Sequence, residues 1–423
     1  MTTTATIDRN RWATFVSLSL LFFLVSAGTF SSLGVVLPAM VKELNWNWTQ
    51  AGLGYTFLGV ACGFSSLLSA ASVRRIGVRS TILIGATLAA IGFGALAITH
   101  SVWVYLAGTI VVGVAFSLVT VPATHVLTGL FEKRSTILGA YFTIGALGQV
   151  TGPLLYVLIA PANGWRAYWW VFVGGAVLFG LFGALTTAGR EPAARSETGA
   201  LEPLTAGALM GGLKEWSVRR ALATPQFYIV TGAYTMYLLI NTTAHGFAVE
   251  HLVERHISAN AAAEMLSLEA LIGAGVAIIG GWAGERVAPK TLMIVALVAL
   301  IAGMTALAEA RGFGLMLVYA AGVGTGFGLS FVASTMLLLT FFGRRVYLEL
   351  YSIMCLMSTA AALGPAVGGW TRDVFGSFTG VFLLCSAAGL ITLVATVLMR
   401  TPRLAEDRLP GHGDVVGAAV DHF

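Results

Sequence analysis

Apolar runs recur along this chain from residue 13 to residue 399, each at least 19 residues long. A bilayer core about 30 Å thick takes about 20 apolar residues per helical span. The residues are 57% hydrophobic and 10% charged, where a soluble protein carries roughly 25% charged residues. The pattern predicts an all-α membrane protein with twelve transmembrane helices. They fall near 13–40, 49–73, 80–99, 102–130, 136–160, 167–189, 226–254, 259–284, 291–309, 312–341, 346–371 and 376–399. Fifty-one glycines fit helices that approach closely in lipid, where small residues let backbones pack.

Arg9 and Arg11 followed by an apolar run resemble a signal peptide, but the run continues to Val41, too far for a signal core. It reads as an uncleaved first span. Cys62, Cys355 and Cys385 all fall inside spans and form no Cys-x-x-Cys pair, so no disulfide, metal site or cofactor is expected.

With both termini on one side, nineteen of the twenty-four Lys and Arg fall on that side. Lys42, Arg166, Arg255, Arg311 and Arg372 remain for the other. Such asymmetry places the Arg-rich side and both termini in the cytoplasm, and it accounts for the net charge of +5 without nucleic acid. The one long hydrophilic segment, 190–225, separates six spans from six, and Leu213 to Leu222 within it reads as a short amphipathic helix. The expected units are 1–189 and 226–400 as six-helix bundles, 190–225 as a cytoplasmic linker and 401–423 as a cytoplasmic tail.

The two sixes are copies. Shifting Glu285-Arg286-Val-Ala-Pro-Lys290 back by 211 positions lands on Arg74-Arg75-Ile-Gly-Val-Arg79. The same shift takes Phe342-Gly-Arg-Arg345 to Phe131-Glu-Lys-Arg134 and Gly324 to Gly113, and a shift of 212 takes Pro365 to Pro153. A fixed offset kept by separated features marks two pseudo-symmetric halves.

A short charged loop after the second span of each half resembles the major facilitator superfamily signature, G-x-x-x-D-R-x-G-x-R/K. In the second half Gly281, Glu285, Arg286 and Lys290 match, with Ala288 in place of the second glycine. In the first half Arg75, Gly77 and Arg79 match, while Ala70 replaces glycine and Arg74 the acid. The resemblance implies that these residues form a cytoplasmic gate in a fold that works as a monomer; the alternative is charges that only fix topology. Two further stretches, 122–153 followed by Gly164-Trp-Arg166, and 337–378, resemble the monocarboxylate transporter and oxalate/formate antiporter branch. Many of those transporters hold the substrate carboxylate with an arginine eight residues before the motif acid. Here that position is Ala277, and the fourth-span Tyr-x-Pro is Thr120-Val121-Pro122. A carboxylate therefore has to meet neutral donors, a protonated histidine or another cation.

Polar residues inside spans are costly in hydrocarbon and mark functional sites. In this fold the first, fourth, seventh and tenth spans line the centre, which nominates Thr29, Thr120, Asn241 and Tyr319, with Gln149 from the fifth span and Phe331 as an apolar wall. A lone hydroxyl more often bonds its own helix; an amide has four hydrogen-bond positions to fill. His245 and Glu269 each lie twelve residues from Ile257, at the turn between the seventh and eighth spans. Two antiparallel helices rising about 1.5 Å per residue bring them to one depth, as a proton-coupling pair. His251 and Glu264 form a shallower pair, read as interfacial.

No P-loop, HExxH or GxSxG occurs, which argues against an enzyme or an ATP-driven pump. The reading is a secondary active transporter in the cytoplasmic membrane that moves a small organic acid, coupled to protons. Alternatives are an exporter of amphiphilic drugs or metabolites and a transporter-like sensor.

Overall fold

A computed structural model describes residues 2–131, 134–187, 216–283 and 286–402. It is all-helical over these residues. The first span is broken into α1 (Thr2–Gly28) and α2 (Phe30–Leu44). Two long elements each carry two spans joined at a glycine: α3 (Trp48–Ala97) folds at Gly77 (φ 82°, ψ 166°) and α5 (Arg134–Thr186) at Gly164 (φ 75°, ψ 166°). Between them lies α4 (Val102–Leu130). After a short helix α6 (Val218–Leu222) come α7 (Pro225–Glu254), α8 (Ala259–Ala283), α9 (Pro289–Glu309) and α10 (Phe313–Phe342). The eleventh span is α11 (Arg344–Ser358), one 3-10 turn (Thr359–Ala362) and α12 (Leu363–Phe375), and α13 (Thr379–Leu398) is the twelfth. Pro225 and Pro289 each open a helix at its first turn, where a missing N–H costs nothing.

The repeat read from sequence reappears as repeated geometry. Asn45 and His256, 211 positions apart, are the two non-glycine residues with positive φ among the described residues, at 54° and 67°. Each closes the first span of its half. A Cβ on Gly113 would lie 2.3 Å from Leu58 O, and one on Gly324 2.5 Å from Glu269 O; 58 and 269, like 113 and 324, differ by 211. Ala288, which replaces the motif glycine, sits at φ −55°, whereas its counterpart Gly77 is at φ 82°. The second loop takes a conformation open to any L-residue, so the glycine is dispensable there.

Within the first half α1 packs on α5, and α3 on α4 and α5; in the second, α10 packs on α8 and α9, and α13 on α7 and α9. The halves meet through α2 with α7, α3 with α12 and α5 with α8. Closest approach is at the Arg-poor end. A Cβ on Gly34 would lie 1.8 Å from His245 O, and one on Gly369 2.0 Å from Trp48 O. The Trp48 ring stands edge-on to Phe247 at 6.1 Å and to Phe378 at 5.2 Å. This end of the molecule is closed.

An apolar groove of about 300 Å³ between the third and sixth spans is lined by residues such as Leu83, Ile91, Val177 and Leu181. Ile91 and Leu181 are more than half exposed.

Candidate functional site

Glu269 on α8 and His245 on α7 are both buried, at 1% and 2% exposure, with His245 Nδ1 3.7 Å from Glu269 Oε1. Counting from the shared turn brought them to one depth, and the structure brings them to one place. Tyr319 on α10 donates its O–H to Glu269 Oε2 at 2.5 Å. Tyr319, expected as a substrate ligand, has its hydroxyl hydrogen on the carboxylate. The reason is packing, because Gly324 sets α10 against the Glu269 backbone and turns Tyr319 toward the acid.

His245 Nδ1 also lies 2.8 Å from Asn241 O. A carbonyl only accepts, so Nδ1 carries the hydrogen. That leaves Nε2, buried and without a partner among the described residues, with its lone pair unsatisfied. The site therefore holds a carboxylate with one strong donor, an imidazole 3.7 Å away, and one ring nitrogen without a partner among the described residues. Burying such groups in hydrocarbon is expensive unless they are paired or neutral. The Lys and Arg of the described helices lie toward the ends of the spans, those within α3 and α5 beside the junctions at Gly77 and Gly164, so among the described residues the core offers no fixed cation.

Span 1 breaks beside this cluster. Thr29 has ψ −116°, far from helical, and the freed polar groups are answered locally. The Thr29 hydroxyl donates to Ser26 O at 3.2 Å, Ser32 Oγ donates to Ala27 O, and Tyr168 O–H donates to Ser32 Oγ. Tyr55 O–H lies 2.6 Å from Phe30 O and 3.1 Å from His245 O. One phenolic hydrogen thus ties the broken first span to the backbone of His245 across the halves. Thr29, expected as a substrate ligand, is 1% exposed and gives its hydroxyl hydrogen to the break.

The other expected ligands fall into two groups. Thr120 bonds its own helix at Phe116 O, 2.9 Å away, as isolated hydroxyls do. Gln149 and Asn241 are half-buried, and their amides have no hydrogen-bond partner among the described residues. Phe331 is 42% exposed, and its ring lies 6.5 Å from that of Phe142 on the opposite half. Phe142 in turn meets Phe22 edge-on, and Phe22 stacks on Tyr141 at 4.5 Å. The Tyr141 hydroxyl is buried with no partner among the described residues.

Glu285 lies outside the described residues, as do the linker 190–215 and the tail from 403. Of the remaining gate residues, Arg75, Arg79 and Gly281 are exposed. Arg286 stacks over Trp282 at 4.1 Å. Lys290 Nζ donates to Val397 O at 2.9 Å and Met399 O at 2.7 Å, satisfying carbonyls left over at the end of α13. This lysine is tied to its own half. His251, expected at the interface, is instead 1% exposed, and its Nε2–H reaches Leu307 O at 3.0 Å, a carbonyl at the end of α9 that also accepts from Ala310 N. Glu264 is exposed, so the shallow pair does not form.

Ala277 sits where α8 and α10 touch, since a Cβ on Gly328 would lie 2.7 Å from Ala277 N. Ala277→Arg is expected to lower the yield of monodisperse protein or its transport, because the new charge finds no partner there. A well-folded variant with raised affinity for a monocarboxylate would reverse this expectation.

Sequence reading missed Tyr55, and it missed Asp373, whose carboxylate reaches Trp48 and Thr49 from the other half. Their partners lie 190 and some 325 residues away, beyond any local pattern.

Two pseudo-symmetric six-span halves around a polar buried centre define a membrane transporter rather than an enzyme. The sequence profile described as Major Facilitator Superfamily matches residues 18–347, and the chain belongs to that superfamily. It is 26% identical over 387 residues to Monocarboxylate transporter 11 of Mus musculus, covering 86% of this chain and 81% of the relative. It is 21% identical over 379 residues to Multidrug resistance protein MdtL of Klebsiella pneumoniae (strain 342), covering 88% and 92%. The fold is similar to the crystal structure of nucleoside transporter NupG, with a TM-score of 0.69 at 15% identity, covering 92% of this chain and 98% of that one.

Proposed function

We propose that the protein is a proton-coupled secondary transporter of a small, monocarboxylate-like organic acid, working as a monomer in the cytoplasmic membrane with both termini in the cytoplasm. The observation that carries this reading is the buried unit of His245, Glu269 and Tyr319. A proton arriving at the empty Nε2 of His245 turns the imidazole into a cation in a core with no described Lys or Arg. That cation supplies the charge that an eighth-span arginine supplies in the monocarboxylate branch, where this chain has Ala277. The free amides of Gln149 and Asn241 offer donors to the carboxylate oxygens, and Phe331 with Phe142 offers an apolar wall. Acid and proton then cross together, and the substrate leaves when the proton does.

A second reading, export of amphiphilic compounds, is favoured by the exposed aromatic pair and by the similarity to a multidrug resistance protein. Uptake into proteoliposomes separates the two. The panel is short monocarboxylates, aromatic monocarboxylates and cationic dyes, each with and without an imposed pH gradient. The first reading expects acid accumulation that follows the gradient and no dye movement. Dye transport without acid transport would establish the second.

A further inference from the structure

The N-terminus of α3 is capped twice, from within and from across the molecule. Four N–H groups at a helix start lack intrahelical partners. Asn47 Oδ1 accepts from Gln50 N at 2.8 Å, and Gln50 Oε1 accepts from Asn47 N at 3.2 Å, a capping box made by the chain itself. This leaves the N–H groups of Trp48 and Thr49. Both are taken by one carboxylate of the other half: Trp48 N donates to Asp373 Oδ1 at 2.9 Å, and Thr49 N to Asp373 Oδ2 at 2.7 Å. The Thr49 hydroxyl adds a third bond to Oδ2 at 2.5 Å.

The neighbouring Arg372 does not neutralise this carboxylate, for its Nε donates to Glu254 at 2.6 Å. Asp373 is answered by the positive end of the α3 dipole and by three donors, an arrangement that favours an anion. Around it Gly369 lets α12 press on the Trp48 carbonyl, and Trp48 stands edge-on to the stacked rings of Phe247 and Phe378. These contacts exist only while the Arg-poor end is closed. Alternating access requires that end to open, and opening strips the carboxylate from the helix.

The geometry assigns Asp373 as the latch of the Arg-poor gate: a positioning residue for transport that sets the balance between closed and open forms by capping α3 in trans. The assignment is independent of the substrate and of the proton-coupling reading, because it rests on contacts that involve neither.

Pulsed electron–electron resonance in lipid nanodiscs tests it without any substrate. The native cysteines are replaced by alanine, and spin labels are placed at Trp103→Cys and Phe375→Cys, which are 80% and 70% exposed at the Arg-poor end of opposite halves. A second pair, Ile76→Cys and Leu398→Cys, reports the Arg-rich end. Asp373→Asn removes the charge at nearly constant shape. It is expected to shift the ratio of closed to open forms at the Arg-poor end by about tenfold, which corresponds to ~1.4 kcal/mol, while the Arg-rich pair moves closer. Thr49→Val, which leaves Asp373 in place, shifts the same ratio in the same direction by less. Added to Asp373→Asn, it should contribute less than it does alone, as expected for partners in one contact. Opposite movement at the two ends is a response that simple destabilisation does not produce. Parent-like distributions at both pairs in Asp373→Asn would overturn the assignment.

Discussion

Glu269→Gln should abolish accumulation driven by a pH gradient while leaving exchange at equal pH close to that of the parent. Glutamine keeps an oxygen for the Tyr319 hydroxyl, which now lies 2.5 Å from Oε2, and it fills the same buried space. It cannot take up or release a proton, so the proton that reaches His245, 3.7 Å away, has no carboxylate to exchange with and the pair no longer couples. With one proton carried per cycle, a gradient of one pH unit is worth about 1.36 kcal/mol and sustains about tenfold accumulation. The variant should reach a ratio of about one. Exchange needs both conformations but no net proton movement, so it survives. Accumulation that still follows the gradient in Glu269→Gln would place coupling elsewhere and leave the cluster as a structural hydrogen-bond network.

Gly34→Val should prevent closure at the Arg-poor end and stop net transport. The obstacle is backbone, since an added Cβ would lie 1.8 Å from His245 O, and a carbonyl inside a helix cannot rotate aside as a side chain does. Overpacking of this kind costs about 1–3 kcal/mol and often more, but only in the closed form. The protein should therefore insert and purify normally, with the spin-label pair at Trp103→Cys and Phe375→Cys held at its longer distance. Gly275→Val provides the control, for nothing lies within 4 Å of a Cβ there, and it should transport like the parent. Normal closure in Gly34→Val would mean that α2 and α7 can separate without opening the gate.

The site was legible where depth alone decides. His245 and Glu269 follow a tight turn by equal counts, and helices of equal rise keep equal depth however they rotate. Rotation is a different matter. Tyr319 turns toward Glu269 because glycine-to-backbone packing sets how α10 lies on α8, and neither helix records that angle in its own sequence. The break at Thr29 was hidden too, because Ser26-Ala-Gly-Thr29 contains no proline. Its stability comes from Tyr55 and Tyr168, residues far along the chain. The repeat was legible from its offsets, and the loop glycine missing at Ala288 is explained by backbone dihedrals that sequence does not display.

Positions 34 and 245 are counterparts under the 211-residue shift, and they touch each other. A precursor assembled from two identical six-span chains would have carried one residue type at both places. Histidine twice would have driven a Cβ into the opposing carbonyl, and glycine twice would have left no imidazole beside Glu269. Neither matched pair gives both the close approach and a buried imidazole. A single polypeptide can hold different residues at the two places, so one copy has no side chain and the other keeps one. The two copies of the repeat thus divide the labour at this contact, one supplying the close approach and the other the imidazole.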